Sequence, residues 1–428
     1  NKEEVLRHFA IATENLQRLQ NVSEISYYYL QHELGLDAEA MWRIPFDAPN
    51  LLALQTSTLR RKVELLRLMM DLSDEDVRAL VRACPTILYL NVDGNLTPKV
   101  LYLQRTLDLS KQELKTLVLQ HPKLLSYSLT NLATKIEFFR SVMSFSSEET
   151  RSLLLKGPNL FATGLKSGLF PKLLFFMKKI GLSMEQMRKL VSKNPKILSY
   201  SLEKNIGPKI SFFVNVLLMD KPTLTSMLLR FPTVLDASMK NTYVPLSKYL
   251  SSELGFLQCE ARQIFHKFPR IVSCSLKKTK TTVDYFHVEM GMPLPDVKRI
   301  LLNAPQLIGY KLETIKTRVD FFATRFDLNA TEVRRVVCGM PTLLMCSLEG
   351  NIKEKLEYLE GHIGPEEMRR CILVRMSALG YSLEKRIRPR MEKLEAAGLD
   401  PKSIVAVVAK TEKSFERWLE RQSNPLYP

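Results

Sequence analysis

The sequence predicts an all-α protein, a solenoid of about nine to ten helical repeats forming a curved superhelix. Three observations predict it. One short proline-led segment recurs along the chain, helix start and stop signals flank its copies, and no β-rich stretch interrupts them. The clearest copies are HPKLLSYSL (121–129), NPKILSYSL (194–202), FPRIVSCSL (268–276) and MPTLLMCSL (340–348). Alignment places an anchor at Pro49, Pro85, Pro122, Pro158, Pro195, Pro232, Pro269, Pro305 and Pro341, successive anchors being 36 or 37 residues apart. A tenth copy, RMSALGYSL (375–383), carries Met376 at the anchor. A fixed period of this length is the signature of stacked units that cannot bury their apolar faces alone.

Each unit reads as two helices about a proline-led turn. Ser110 with Glu113 is a capping box, so a helix starts there. Leu114, Leu117, Val118 and Leu119 continue it with helical periodicity. His121-Pro122 stops it, because a residue before proline avoids the right-handed helical region. An apolar turn follows at Leu124-Leu125, and a second helix then carries Ile136, Phe138 and Phe139. The same start signal recurs at Ser73 with Asp76, Ser146 with Glu149, Ser183 with Gln186 and Asn329 with Glu332. Gly35, Gly181, Gly255 and Gly291 stand just before helix starts, where they suit the left-handed residue that ends the preceding helix.

A basic residue recurs 13 or 14 residues after the anchor, as Lys62, Lys99, Lys135, Lys172, Lys209, Arg318, Lys355 and Arg390. Leu246 and Thr282 hold that place in the other two copies. One optional residue in the loop before the second helix accounts for most of the variation in repeat length.

The chain carries 62 Lys and Arg against 45 Asp and Glu, a net charge of +17. Such a balance attracts polyanions. The six cysteines (Cys84, Cys259, Cys274, Cys338, Cys346, Cys371) form no C-x-x-C pair and read as reduced thiols. The six histidines are scattered and suggest no zinc site. No apolar run is long enough to span a membrane. The chain starts at Asn1, and Glu3, Glu4 and Glu14 are unlike an acid-poor transit peptide, which fits a processed form. No P-loop, G-x-G-x-x-G, H-E-x-x-H or nucleophile elbow marks an enzyme, and no metal or cofactor is expected.

Repeats of this length with P-x-L-L-x-x-S-L and a following apolar helix resemble the mitochondrial transcription termination factor (mTERF) family. The motif fits at Pro122, Pro195, Pro269 and Pro341 and more loosely elsewhere. The resemblance covers about residues 30–397. It implies triangular units of two α-helices and a short 3₁₀ turn, stacked as a left-handed superhelix. It also implies a non-enzymatic role in mitochondria or chloroplasts: transcription termination or pausing on double-stranded DNA, rRNA maturation, ribosome assembly or intron splicing. Residues 1–29 are then an N-terminal helical cap, 30–397 the solenoid, and 398–428 a C-terminal capping helix and tail.

In a solenoid, equivalent positions line up, so the recurring cations predict a phosphate-contacting stripe. Arg60-Arg61-Lys62, Lys277-Lys278-Lys280 and Lys385-Arg386-Arg388-Arg390 share that part of the unit. The candidate binding residues are the eight periodic cations with Lys277, Lys278, Lys280, Arg386 and Arg388. Against this stands a solvated cation with no partner. Tyr127, Tyr200, Tyr310 and Tyr381 recur five residues after the anchor, fitted to packing in the turn and less well to stacking on bases. Gly164, Lys311 and Asn91 replace the turn serine in three copies, which puts local contacts there in doubt. The function expected is nucleic-acid binding in organelle gene expression by a protein that is monomeric when free. The partner is double-stranded DNA or structured RNA, the compartment the mitochondrion, with the chloroplast as alternative. The competing expectation is a permanent structural subunit of an organellar ribosome, bound to rRNA and neighbouring proteins.

Overall fold

The computed structural model describes residues 24–374 and 376–423. The expected N-terminal cap lies outside the described residues up to residue 23, as does the tail from Asn424 to Pro428. Among the described residues all regular structure is helical. The fold is a helical solenoid, and the chain divides into two compact units, Asn1–Ile206 and Gly207–Pro428.

Ten proline- or Met376-led turns order the repeats. The third repeat shows the plan: a first helix Lys111–Gln120, a 3₁₀ turn Pro122–Ser126, and a second helix over 129–142. Ser110 accepts from the Glu113 amide while Glu113 accepts from the Ser110 amide, the expected capping box. The same reciprocal pair forms at Ser73, Ser146, Ser183 and Asn329. His121 has φ −139° and ψ 71°, outside the helical region, as the following proline requires. The turn then buries its third and fourth residues completely, for example Leu124-Leu125 and Leu160-Phe161 at 0% exposure. Within each unit, successive turns pack on one another, as Pro85–Tyr89 does on Pro122–Ser126.

Most second helices end on a left-handed residue followed by an apolar residue and the next N-cap; Glu354–Ile363 instead ends on Gly364, at φ 80° and ψ 160°, directly before the next helix. Gly35, Gly181, Gly255 and Gly291 take φ between 61° and 93°, as their place in the sequence predicts. Asp71, Asp108, Ser144 and Asp327 do the same without glycine. Leu218, at φ 50°, does so with a bulky side chain that is 55% exposed.

The optional residue does not lie in the loop. It is taken up inside the first turn of the second helix. Where the cation stands 13 residues past the anchor, the helix opens with an ordinary bond four residues back, as Leu132 N–H to the Ser128 carbonyl (3.1 Å) and Leu59 N–H to Gln55 (3.1 Å). Where it stands 14 past, the bond reaches five back: Leu96 to Asn91 (3.0 Å), Leu169 to Gly164 (2.9 Å), Ile352 to Ser347 (3.1 Å) and Ile387 to Ser382 (3.1 Å). A wide π-type turn thus absorbs the extra residue, and the buried residue three before the cation keeps its place.

Sequence already marked this difference. Pro98, Pro171, Pro208, Pro245 and Pro389 immediately precede the 14-residue position. A proline inside an α-helix lacks a donor and crowds the carbonyl four residues back; a wide turn relieves both problems. In three of the 13-residue copies the equivalent residues are Thr134, Thr281 and Thr317, whose hydroxyls donate to the carbonyls of Thr130, Lys277 and Glu313 in ordinary α-turns.

The chain end closes the last repeat. A 3₁₀ turn Pro401–Ser403 and a short helix Ile404–Val407 lead to Glu412–Ser423. Ile404, Val407, Val408 and Phe415 are 0% exposed within the core that the last two repeats share.

Candidate nucleic-acid interface

The periodic cations lie between repeats, not on the surface. Lys99, Lys135, Lys172, Lys209, Lys355 and Arg390 are 2–6% exposed. Each lysine ammonium donates to the fourth residue of the next turn: Lys99 to the Leu125 carbonyl (2.7 Å), Lys355 to Leu379 (3.0 Å), and Lys135, Lys172 and Lys209 to Phe161, Leu198 and Leu235. Lys62 reaches Leu88 (2.7 Å) and Arg318 reaches Leu344 (2.6 Å) in the same way. Arg390, facing no further repeat, donates to the carbonyls of Val407 (2.8 Å), Val408 (3.0 Å) and Lys410 (2.9 Å) and to Glu412 (2.8 Å). The physical reason is the turn itself. A short 3₁₀ segment leaves its last carbonyls without onward amide donors, and stacking buries them. A long cationic side chain from the preceding repeat supplies the missing donor. Burial lowers the pKa of Lys62, Lys99, Lys135, Lys172, Lys209 and Lys355 below the ordinary lysine value. The surface stripe expected from the sequence is therefore replaced by a ladder of inter-repeat bonds.

The remaining predicted residues divide. Lys278 donates to the Gly309 carbonyl in the next turn, in the repeat where Thr282 takes the lysine's place. Lys280 binds Glu253 (2.8 Å) and lies over the Tyr249 ring. Arg386 donates to the Lys410 carbonyl (2.6 Å) and lies over Tyr381. Arg388 binds Glu384 (3.1 Å) and lies over Tyr358. The Lys277 ammonium is exposed and has no partner among the described residues.

A second ladder had not been expected. Seven residues before the anchor, first helices carry Lys115, Arg151, Arg188, Lys298 and Arg369. Each binds the capping-box carboxylate of the repeat before: Asp76 (2.6 Å), Glu113 (2.6 Å), Glu149 (2.9 Å), Glu260 (3.1 Å) and Glu332 (3.2 Å). The hydrogen bond from Lys115 is the largest influence holding Asp76 down at about 2, and that from Arg151 does the same for Glu113, also at about 2. The seven-residue offset was visible in the sequence, but its acidic partner is a residue that capping alone already explained. Where the capping residue is the neutral Gln186, the next repeat has Thr225 in place of the cation.

With these cations tied down, some exposed and unpartnered cations, such as Arg105, Lys111, Lys156, Lys221 and Arg335, lie elsewhere on the helices, while one set of them shares the turns and second-helix starts. In the N-terminal unit they are Lys123, Lys166, Lys196 and Lys204, on the turns and at the starts of second helices. In the C-terminal unit they are Lys240, Arg270, Lys277, Lys311 and Lys385, in the same register. None has an ion-pair partner among the described residues. This is also the edge where second-helix N-termini emerge, with their outward amides and positive dipole ends. The opposite edge of each repeat holds the acidic first-helix caps, such as Asp74, Glu75 and Asp76. The turn edge of the repeat therefore carries a recurring set of exposed cations. Ser128, Asn131, Lys135 and Lys166 line a shallow groove there, of about 410 Å³.

The turn tyrosines are engaged in packing. Tyr127 lies against His121 and under the Lys135 ammonium, and Tyr310 donates to the Met345 carbonyl (3.1 Å) beneath Arg318. No helix among the described residues is long and apolar enough to cross a membrane.

Stacked helix–turn–helix units define a helical-repeat protein. The mTERF family model matches at residues 14–174, 145–320 and 252–416, and the chain belongs to that family. Its members are organellar proteins that bind nucleic acid in gene expression. No curated protein matches the chain closely enough to be counted a relative.

Proposed function

We propose that this protein is a non-enzymatic, nucleic-acid-binding factor of mitochondrial gene expression, gripping double-stranded DNA or a double-helical RNA segment through its phosphates. The observation that carries the reading is the set of unpartnered cations at the turn edge of each unit, Lys123, Lys166, Lys196 and Lys204 in one and Lys240, Arg270, Lys277, Lys311 and Lys385 in the other. Exposed cations without acidic partners gain most from releasing counterions of a nucleic acid. Such contacts set position without reading bases. A paired nucleic acid fits better than a single strand, because the turn tyrosines that could stack on bases already pack within the protein.

The test is binding of the purified chain to duplex DNA and to hairpin RNA over a range of salt. Wild type is expected to bind one of them with affinity that falls steeply as salt rises. The quadruple variant K123E/K166E/K196E/K204E should lose most of that affinity and flatten the salt slope by about 0.9 per lost duplex contact. Equal binding by both proteins would sink the reading. Sedimentation of organelle lysate with and without nuclease then separates a factor from a ribosomal subunit: the proposed factor stays substoichiometric to ribosomes.

A further inference from the structure

The last helix, Glu412–Ser423, does more than cover the final repeat. Phe415, Trp418 and Leu419 pack into the terminal core. At about 100° per residue, these three share one side of the helix. Lys413, Arg417 and Arg421 fall on the opposite side as an i, i+4, i+8 row, about 6 Å apart along the axis, and all three are exposed. The acids that would neutralise the row are held elsewhere. Glu412 binds Arg390 (2.8 Å) and Lys393 (3.3 Å), and Glu416 lies 3.7 Å from Lys393. Glu420, on the flank, is the remaining acid of the helix. No ion pair reaches the row from any described residue.

The helix is also placed where such a row has a use. Arg386 and Arg390 both donate to the Lys410 carbonyl, which fixes the helix start beside the opening turn of the last second helix. Lys385, the last of the turn-edge cations, is the neighbour of Arg386 in that turn. Lys393 then contacts Glu412 and Glu416, so the helix runs alongside 386–393 in the same direction, away from the turn edge. Its cationic face therefore begins where the turn-edge cations of the C-terminal unit stop.

We propose that Lys413, Arg417 and Arg421 form a phosphate-contact row that carries the nucleic-acid interface beyond the repeats and onto the last helix. This rests on the nucleic-acid reading above. The test uses the full chain with K413Q/R417Q/R421Q, compared with wild type and with the turn-edge quadruple variant on a long duplex DNA and on hairpin RNA. The readouts are the slope of log affinity against log salt and the length of nucleic acid occupied per protein. The triple variant is expected to keep its melting temperature, to lose about two to three units of slope, and to occupy a shorter length. R417Q alone should lose about one unit. If the turn-edge variant loses binding while the triple and single variants match wild type in slope and occupied length, the row is a solvated face and this inference falls alone. If wild type binds neither nucleic acid, the functional reading falls with it.

Discussion

The ammonium of Lys99 lies 2.7 Å from the carbonyl oxygen of Leu125, 26 residues further along the chain, and both are buried. The same interval links Lys62 to Leu88 and Arg318 to Leu344. A bond of this kind contributes little net energy when intact, because desolvating the ammonium offsets the attraction. Breaking it is costly, since the carbonyl stays buried without a donor. Lys99→Met should lower stability by about 1–3 kcal/mol in urea unfolding, while leaving the salt slope of nucleic-acid binding unchanged. A variant of normal stability and reduced slope would return Lys99 to the surface-contact role.

The wide turn at 92–96 and the ordinary turn at 129–132 predict opposite responses to proline exchange. Thr134→Pro puts proline into a regular helix and should cost about 3 kcal/mol. Pro98→Thr should cost less than about 1 kcal/mol, near the ordinary range for a substitution that breaks no special contact. Thermal melting of the two variants decides; equal losses would mean that the turn widths do not govern the proline positions.

Leu218 and Leu257 each stand where local backbone favours another residue. Leu218 takes φ 50° at a helix end, and Leu257 is an N-cap without a side-chain acceptor. Leu218→Gly should raise stability by about 0.5–1 kcal/mol by removing left-handed strain. Leu257→Ser should add about 1 kcal/mol by capping the helix. Denaturant midpoints that fall in both variants would show that the two leucines make packing contacts worth more than the strain.

Acid should loosen the second ladder before it touches the first. Asp76 and Glu113 are both held at about 2 in the folded protein, below their ordinary values of 3.8 and 4.5. A depressed carboxylate binds fewer protons folded than unfolded, so its contribution is present above the unfolded value. It is lost as pH falls from about 4.5 to about 2. Arg151→Gln removes the largest influence on Glu113 and should flatten this part of the stability profile, read as urea midpoints at successive pH values. Superimposable profiles would contradict the linkage.

Local signals were the legible ones. Ser110 with Glu113, His121 before Pro122, and Gly181 before a helix start each act within a few residues, so the sequence displays cause and effect together. The repeat period followed from the anchors for the same reason. Lys99 was harder to place. Its periodicity is the same whether the side chain points outward or between units, and only the buried Leu125 carbonyl decides between them. Arg151 was missed because its partner, Glu113, lies 38 residues away and already had a role as a cap. Lys123, Lys166, Lys196 and Lys204 became candidates only once the internal partners of the periodic cations were known and the remaining exposed cations were sorted by their place in the repeat.

The widened turn works like a vernier. A repeat can gain or shed one residue without moving the side chain that clasps its neighbour, because the helix changes pitch locally and regains phase before the clasp. Units of either length thus present the same clasp to the next repeat.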